Sequence, residues 1–425
     1  MTKLTLQEQL IADRRHLHAH PEEGWCEFET TWFIVQRLKA LGLEWKAGID
    51  VIEPSAVMGR NADLVEKAKK RALEHGVHAD FLGHLGGYTG AMAVLNTGRP
   101  GPVTGIRVDI DCLPIEESND PAHEANAGNY RSVYPGFSHA CGHDGHTAVG
   151  LAAARWLSEN REKLCGTVKI LFQPAEEGVR GAAAMAAKGI VDDVNWFVGA
   201  HIGCSARLGQ VGVSHFGYLA TTKFDLRYHG LAAAAGSPEK GRSALMCGAA
   251  TCMSLGSLPG HSQGITRVQI GRFESGTGRN IIAENAFMQL EVRGESTEIN
   301  DYMAANVEMT VKGLAVAYGV DYELTRMGEA VTYRGDEEAV SIVKEVAAQV
   351  PGVDSVVDMN AKIGSEDCTM LIRRVQEHGG KAVFFYYGCN HPGHHRGDFC
   401  IQDETSLPIG FGCFVGFIQR INGVK

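Results

Sequence analysis

From Ser138 to Thr147 the chain reads Ser138-His139-Ala140-Cys141-Gly142-His143-Asp144-Gly145-His146-Thr147, which sets a thiol, three imidazoles and a carboxylate almost side by side. Thiolate and imidazole together suit Zn²⁺ and tolerate other first-row divalent metals. Cys141 and His143, two apart on an extended segment, would point the same way, and Gly142 between them leaves room for close backbone approach. A free cysteine beside surface histidines is the plainer account of this stretch taken alone. Farther on, Gln173-Pro174-Ala175-Glu176-Glu177-Gly178 carries adjacent glutamates. Neighbouring side chains diverge, so one carboxylate can bind a metal while the other holds the water to be activated, the alternative being a solvated acidic turn. His201 ends an apolar run, where a lone histidine is more often a satisfied core residue. Asp109, in Arg107-Val108-Asp109-Ile110-Asp111, suits a carboxylate that orients a metal-bound histidine, or else a surface ion pair with Arg107. His391, His394 and His395 crowd one segment near the C-terminus, and spacing does not choose among them.

These groups need elements to carry them. Apolar strands are expected over 90–95, 103–110, 167–172, 196–202 and 382–387, the chemistry falling at their carboxyl ends, where sites of α/β sheets lie. Helices are expected over 4–18, 29–41, 147–159, 337–348 and 366–378, with a charged amphipathic helix over 61–76 read as a surface insertion. Pro21 closes the first helix, and the alternating His16, His18 and His20 at its end suit capping or packing better than a metal. Between 214 and 329 the pattern becomes strand (221–229), helix (241–254), strand (266–272), strand (286–293), helix (298–318), strand (322–325), which is the ferredoxin-like order.

A chain of 425 residues, 44% hydrophobic, exceeds what one core usually organises, so two domains are expected. The formal charge of −10, with no basic stretch, argues against nucleic acid or an anionic membrane as partner. No apolar run reaches membrane-spanning length and the first residues are polar, so no membrane association is expected. Eleven cysteines without framework spacing read as reduced thiols and point to the cytoplasm.

Taken together, Arg14-Arg15-x-Leu17-His18 with Pro21-Glu22, Asp109-x-Asp111-x-Leu113-Pro114, the 139–146 run, Gln173 to Gly178 and His201-Ile202 stand in the order of the M20-type metallo-aminoacylases, and the chain resembles that family over nearly its whole length. Within it, residues 61–76 and 237–242 are most similar to the A-subunit branch of aminobenzoyl-glutamate hydrolase, indole-3-acetyl-aspartate hydrolases being similar too. The resemblance implies a zinc-peptidase-like α/β catalytic domain (1–213 and 330–425) interrupted by a ferredoxin-like α+β lid and dimerisation domain (214–329). It implies Cys141, His143, Glu177, His201 and His395 as metal ligands, the last chosen because it stands four residues before Phe399. Glu176 becomes the general base and Asp109 the supporting carboxylate. Five ligands suit two divalent ions, Mn²⁺ or Zn²⁺, better than one tetrahedral ion.

The implied reaction is hydrolysis of the amide bond of an N-acyl acidic amino acid such as p-aminobenzoyl-glutamate, releasing glutamate, or alternatively of an N-acyl-aspartate such as indole-3-acetyl-aspartate. Asn280 and Arg293 would bind the oxyanion or the product carboxylate, Arg293 through bidentate contact unless it only ends a strand in an ion pair. The implied assembly is a homodimer, the alternative partner being a related B subunit. One position departs from the pattern: Ala234 stands where the family's lid carries a histidine that stabilises the tetrahedral intermediate. The replacement reads as inactivating, since losing one such donor costs about 10²–10³ in turnover. It also leaves open a non-catalytic subunit that only binds ligand.

Overall fold

The computed structural model describes residues 4–360 and 364–424. The chain divides into two compact units: one runs through Gly217 and resumes at Tyr333, and the other comprises Tyr218–Thr332 with part of the loop before Asp367. The breaks fall a few residues beyond the expected 213 and 329.

The larger unit is built on an eight-stranded sheet in the order Glu44–Ala47, Ala91–Asn96, Thr167–Gln173, Val103–Asp109, Trp196–Ile202, Lys381–Tyr387, Gln210–Ser214, Ser355–Asp358. The four middle strands are mutually parallel. They are covered on both faces, which is why they read as mainly apolar runs rather than alternating ones, broken in their interiors only by single charges at Arg107 and Lys169; every residue from Ala382 to Tyr387 is buried. Helices His143–Glu159, Asp403–Asn422 and Glu337–Ala347 pack on one face, and Cys368–Glu377 with Ala182–Ala187 on the other. The helix His143–Glu159 can lie in the core because of its small residues: a Cβ on Gly150 would come within 2.8 Å of Val108 and 2.9 Å of Phe172. Three short strands, at Glu44, Gln210 and Ser355, were not expected from the pattern, being only four or five residues long.

The inserted unit carries strands Ala220–His229, Thr266–Ser275, Asn285–Gly294 and Asp321–Ala330 in the sheet order second, third, first, fourth, all antiparallel, with helices Ala244–Gly256 and Thr297–Tyr318 on one face. This is the ferredoxin-like arrangement. Phe224, Leu226 and Tyr228 alternate toward a core shared with Met288, Leu290, Met303 and Val307. Among the described residues no helix is long and apolar enough to cross a membrane.

Candidate metal centre

The site lies at the carboxyl ends of the four parallel strands, where backbone groups are released from the sheet and loops must turn sharply. The turns are steep enough that Ala175, Val179, Cys204 and His395 all adopt positive φ, a conformation costly for residues other than glycine and concentrated here. Gly142 caps the helix that begins at His143, with φ +88°, and a Cβ there would strike Ile202 Cγ2 at 2.5 Å. The helix therefore starts four residues earlier than expected. Cys141 and His143 do not share an extended segment: a left-handed glycine joins them, and it, rather than strand alternation, turns both side chains to one place.

The structure brings Cys141, His143 and His201 together, their donor atoms within 4.8 Å of one another, and does the same for Cys141, Glu177 and His395 and for His143, Glu176 and Glu177. Cys141 Sγ is 3.4 Å from His201 Nε2, His143 Nε2 is 3.9 Å from a Glu176 oxygen, and His395 Nε2 is 3.5 Å from Glu177 Oε1. Two buried polar atoms at this centre, His143 Nε2 and Glu177 Oε1, make no hydrogen bond. Buried polar atoms are rarely left so, and a lone pair on each aimed into one cluster is what a cation needs. The electrostatics agree: burial, with Asp111 and Asp109 nearby, pushes the Glu177 carboxyl up to about 7, and burial pushes the Cys141 thiol well up. A divalent ion relieves both.

The carboxylate next to His143 differs from the expected one. Asp109 is occupied by the Arg107 guanidinium (2.8 Å) and by His146 Nδ1 (2.5 Å), and its nearer oxygen lies 3.8 Å from His143 Nδ1. Arg107 is fully buried, reaching Asp367 as well, so the pair is an interior bridge rather than a surface one. Asp111 is closer to His143 Nδ1, at 3.3 Å, and its two oxygens also accept the backbone N–H groups of Glu176 and Glu177 at 3.0 and 2.9 Å. It joins the imidazole to the glutamate turn. The signal was its place two residues beyond Asp109. Burial opposes charge on His143, yet Asp109, Cys141 and Asp111 together raise its pKa well above the ordinary value, making it an electron-rich donor. His146 lies against the site, but its Nε2 accepts from the Ile202 N–H at 2.8 Å while Nδ1 faces Asp109, so neither nitrogen is free for a metal.

In the inserted unit Ala234 pairs with Ile281, and the Ala235 N–H donates to the Asn280 carbonyl oxygen, so Ala234 and Asn280 are neighbours. Arg293 is not. It lies near the far end of the strand that starts at Asn285, about 27 Å along it, with Nε on Glu291 at 2.8 Å. Asn280 and Arg293 of one chain therefore do not form a pair.

The profile of peptidase family M20/M25/M40 matches residues 105–420. The chain is 41% identical over 416 residues to a Haemophilus influenzae homolog of the p-aminobenzoyl-glutamate hydrolase A subunit, covering 97% of this chain and 98% of that protein. It is also 41% identical to the indole-3-acetyl-aspartic acid hydrolase of Enterobacter agglomerans over 401 residues, 93% of this chain and 92% of that one. Among solved structures, an aminobenzoyl-glutamate utilization protein from Klebsiella pneumoniae superposes with a TM-score of 0.83 at 36% identity, covering 97% of this chain and 96% of its own.

Proposed function

This chain belongs to peptidase family M20/M25/M40 and is an amidohydrolase of that family, and from there we propose that it cleaves N-acyl acidic amino acids of the p-aminobenzoyl-glutamate type, releasing glutamate. The observation that carries the reading is the convergence of Cys141, His143, Glu177, His201 and His395 around two buried atoms that make no hydrogen bond, with Glu176 beside them. The five hold the metal and Glu176 is the base. Two divalent ions, Mn²⁺ or Zn²⁺, would supply polarisation of the amide carbonyl and a lowered pKa of water. Glu176 takes the proton from the attacking water and delivers it to the departing amine nitrogen, so one carboxylate serves as base and then acid. Its position depends on Asp111, which grips the backbone on which it is mounted. Arg293 is the group suited to a substrate carboxylate, and Asn280 to the oxyanion.

Because Asn280 and Arg293 sit so far apart in one chain, a site that uses both draws them from two copies, which favours a homodimer. Exposed Leu245, Met246 and Met253 on the helix Ala244–Gly256 supply apolar surface for it. A related B subunit is the alternative partner. None of the eleven cysteines is in a disulfide, as suits the cytoplasm. N-acyl-aspartates such as indole-3-acetyl-aspartate are the second substrate class, and Ala234 is the single feature favouring a subunit that binds without catalysis.

Three variants test the assignment. Glu176→Ala is expected to abolish turnover of p-aminobenzoyl-glutamate while metal content by elemental analysis stays unchanged, whereas Glu177→Ala and Cys141→Ser lose metal. Equal loss of metal from Glu176→Ala and Glu177→Ala would overturn the division of roles.

A further inference from the structure

His201 and His394 approach the Cys141 sulfur from nearly equal distances, Nε2 of His201 at 3.4 Å and Nδ1 of His394 at 3.5 Å. Distance alone would make both of them metal ligands. Their outer nitrogens separate them. His201 Nδ1 is 2.8 Å from the Ile202 carbonyl oxygen, which can only accept, so the proton is on Nδ1 and Nε2 presents a lone pair to the site. His394 Nε2 is 2.9 Å from the backbone N–H of Cys204, which can only donate, so Nε2 is the acceptor and the proton sits on Nδ1, facing sulfur. An imidazole nitrogen that carries its proton cannot ligate.

We propose that His394 is a positioning residue, donating an N–H···S hydrogen bond to the Cys141 thiolate from outside the set of ligands. The proposal rests on Cys141 being a metal ligand. Such a bond orients the sulfur and withdraws electron density from it, leaving the bound cation a stronger Lewis acid and the thiolate less open to electrophiles. The surroundings are built to hold this tautomer. Cys204 takes a left-handed φ of +54°, and its backbone is gripped from both sides: its N–H donates to His394, and its carbonyl oxygen accepts from His391 Nε2 at 3.1 Å. The rings of His391 and His394 pack with centroids 4.5 Å apart. The three clustered histidines thus divide the labour: His395 faces Glu177, His394 faces the sulfur, and His391 braces the peptide that orients His394.

Two substitutions separate a hydrogen-bond donor from a ligand, because an asparagine amide nitrogen hangs on Cγ as Nδ1 does and a glutamine amide nitrogen hangs one atom farther out, as Nε2 does. Each protein is loaded with Co²⁺, and the sulfur-to-cobalt charge-transfer band is recorded with the cobalt content. His394→Gln is expected to move the band to lower energy and to weaken cobalt affinity by about 10-fold, with wild-type stoichiometry at saturation. His394→Asn is expected to return the band toward its wild-type position. Loss of cobalt at saturation from both variants would show His394 to be a ligand, and an unmoved band in His394→Gln would show the bond to be absent; either overturns the proposal. A wild-type protein that binds cobalt with no such band would instead remove Cys141 from the ligand set, a failure of the earlier assignment recognisable before any variant is made.

Discussion

Asp111 accepts three N–H groups at once, from His143 Nδ1 and from the peptides of Glu176 and Glu177, and is fully buried while doing so. A carboxylate so placed fixes the tautomer of the His143 imidazole and the path of the turn that bears Glu176 with the same two oxygens. Removing its charge loosens both together. Asp111→Asn is expected to lower metal affinity by about 10–100-fold and to lower turnover of protein that is fully loaded with metal, since the amide nitrogen would oppose one of the N–H groups. Titration with Mn²⁺ or Zn²⁺, followed by an assay at saturation, checks it. An effect confined to affinity would mean that Asp111 does not also position Glu176.

At the scale of elements, the first helix, Leu6–Ala19, is tied to the helix His143–Glu159 by buried charge. Arg14 Nε and His18 Nδ1 both reach Asp144 Oδ2, at 2.9 and 2.7 Å, and His18 Nε2 reaches Glu117 at 2.7 Å. A carboxylate on each ring nitrogen favours the protonated form of His18, against the Arg14 guanidinium 3.3 Å from Nδ1. Burial works against charge on both partners, but hydrogen bonds from His123 and His18 hold the Glu117 carboxyl well below its ordinary range, and Asp144 and Glu117 raise His18. The two shifts act in opposite directions with pH. A depressed Glu117 stabilises the fold above its unfolded pKa of about 4.3 and loses that contribution as pH falls through the depressed value. A raised His18 stabilises below about 6.5 and loses it as pH rises through the raised value. Glu117→Gln is therefore expected to flatten the acid side of the stability profile and to bring the alkaline decline of His18 to lower pH. Urea unfolding from about pH 3 to about pH 9 reads both limbs; an unchanged acid limb would exclude Glu117 as its source.

At the scale of the molecule, the inserted domain carries Ala234, which the resemblance to the family places where its lid has a histidine. Ala234 is exposed on a short strand beside Asn280, so a larger side chain there meets no packing obstacle. Ala234→His is expected to raise kcat for p-aminobenzoyl-glutamate by about 10²-fold with a smaller change in KM, because the imidazole would meet charge that develops on the carbonyl oxygen mainly in the transition state. Steady-state kinetics at matched metal content decide the matter. Negligible rates in both proteins would favour a binding subunit.

What could be read from the residues was everything carried by local pattern. The largely apolar strands, the strand and helix order of the inserted domain, and the dense runs at 139–146 and 173–178 each follow from short-range periodicity or from side chains too costly to place together without a purpose. Asp111 was visible only as one of two acids on a strand end, because its role comes from peptides 65 and 66 residues away. The separation of Asn280 from Arg293 was hidden likewise: thirteen residues apart looks close in sequence, but an extended strand carries the chain about 3.3 Å with each step. The three histidines near the C-terminus shared one composition and no distinguishing spacing. What told His394 from His201 was which backbone group each met on its outer nitrogen, a carbonyl for one and an N–H for the other, and only the fold brings those groups into place.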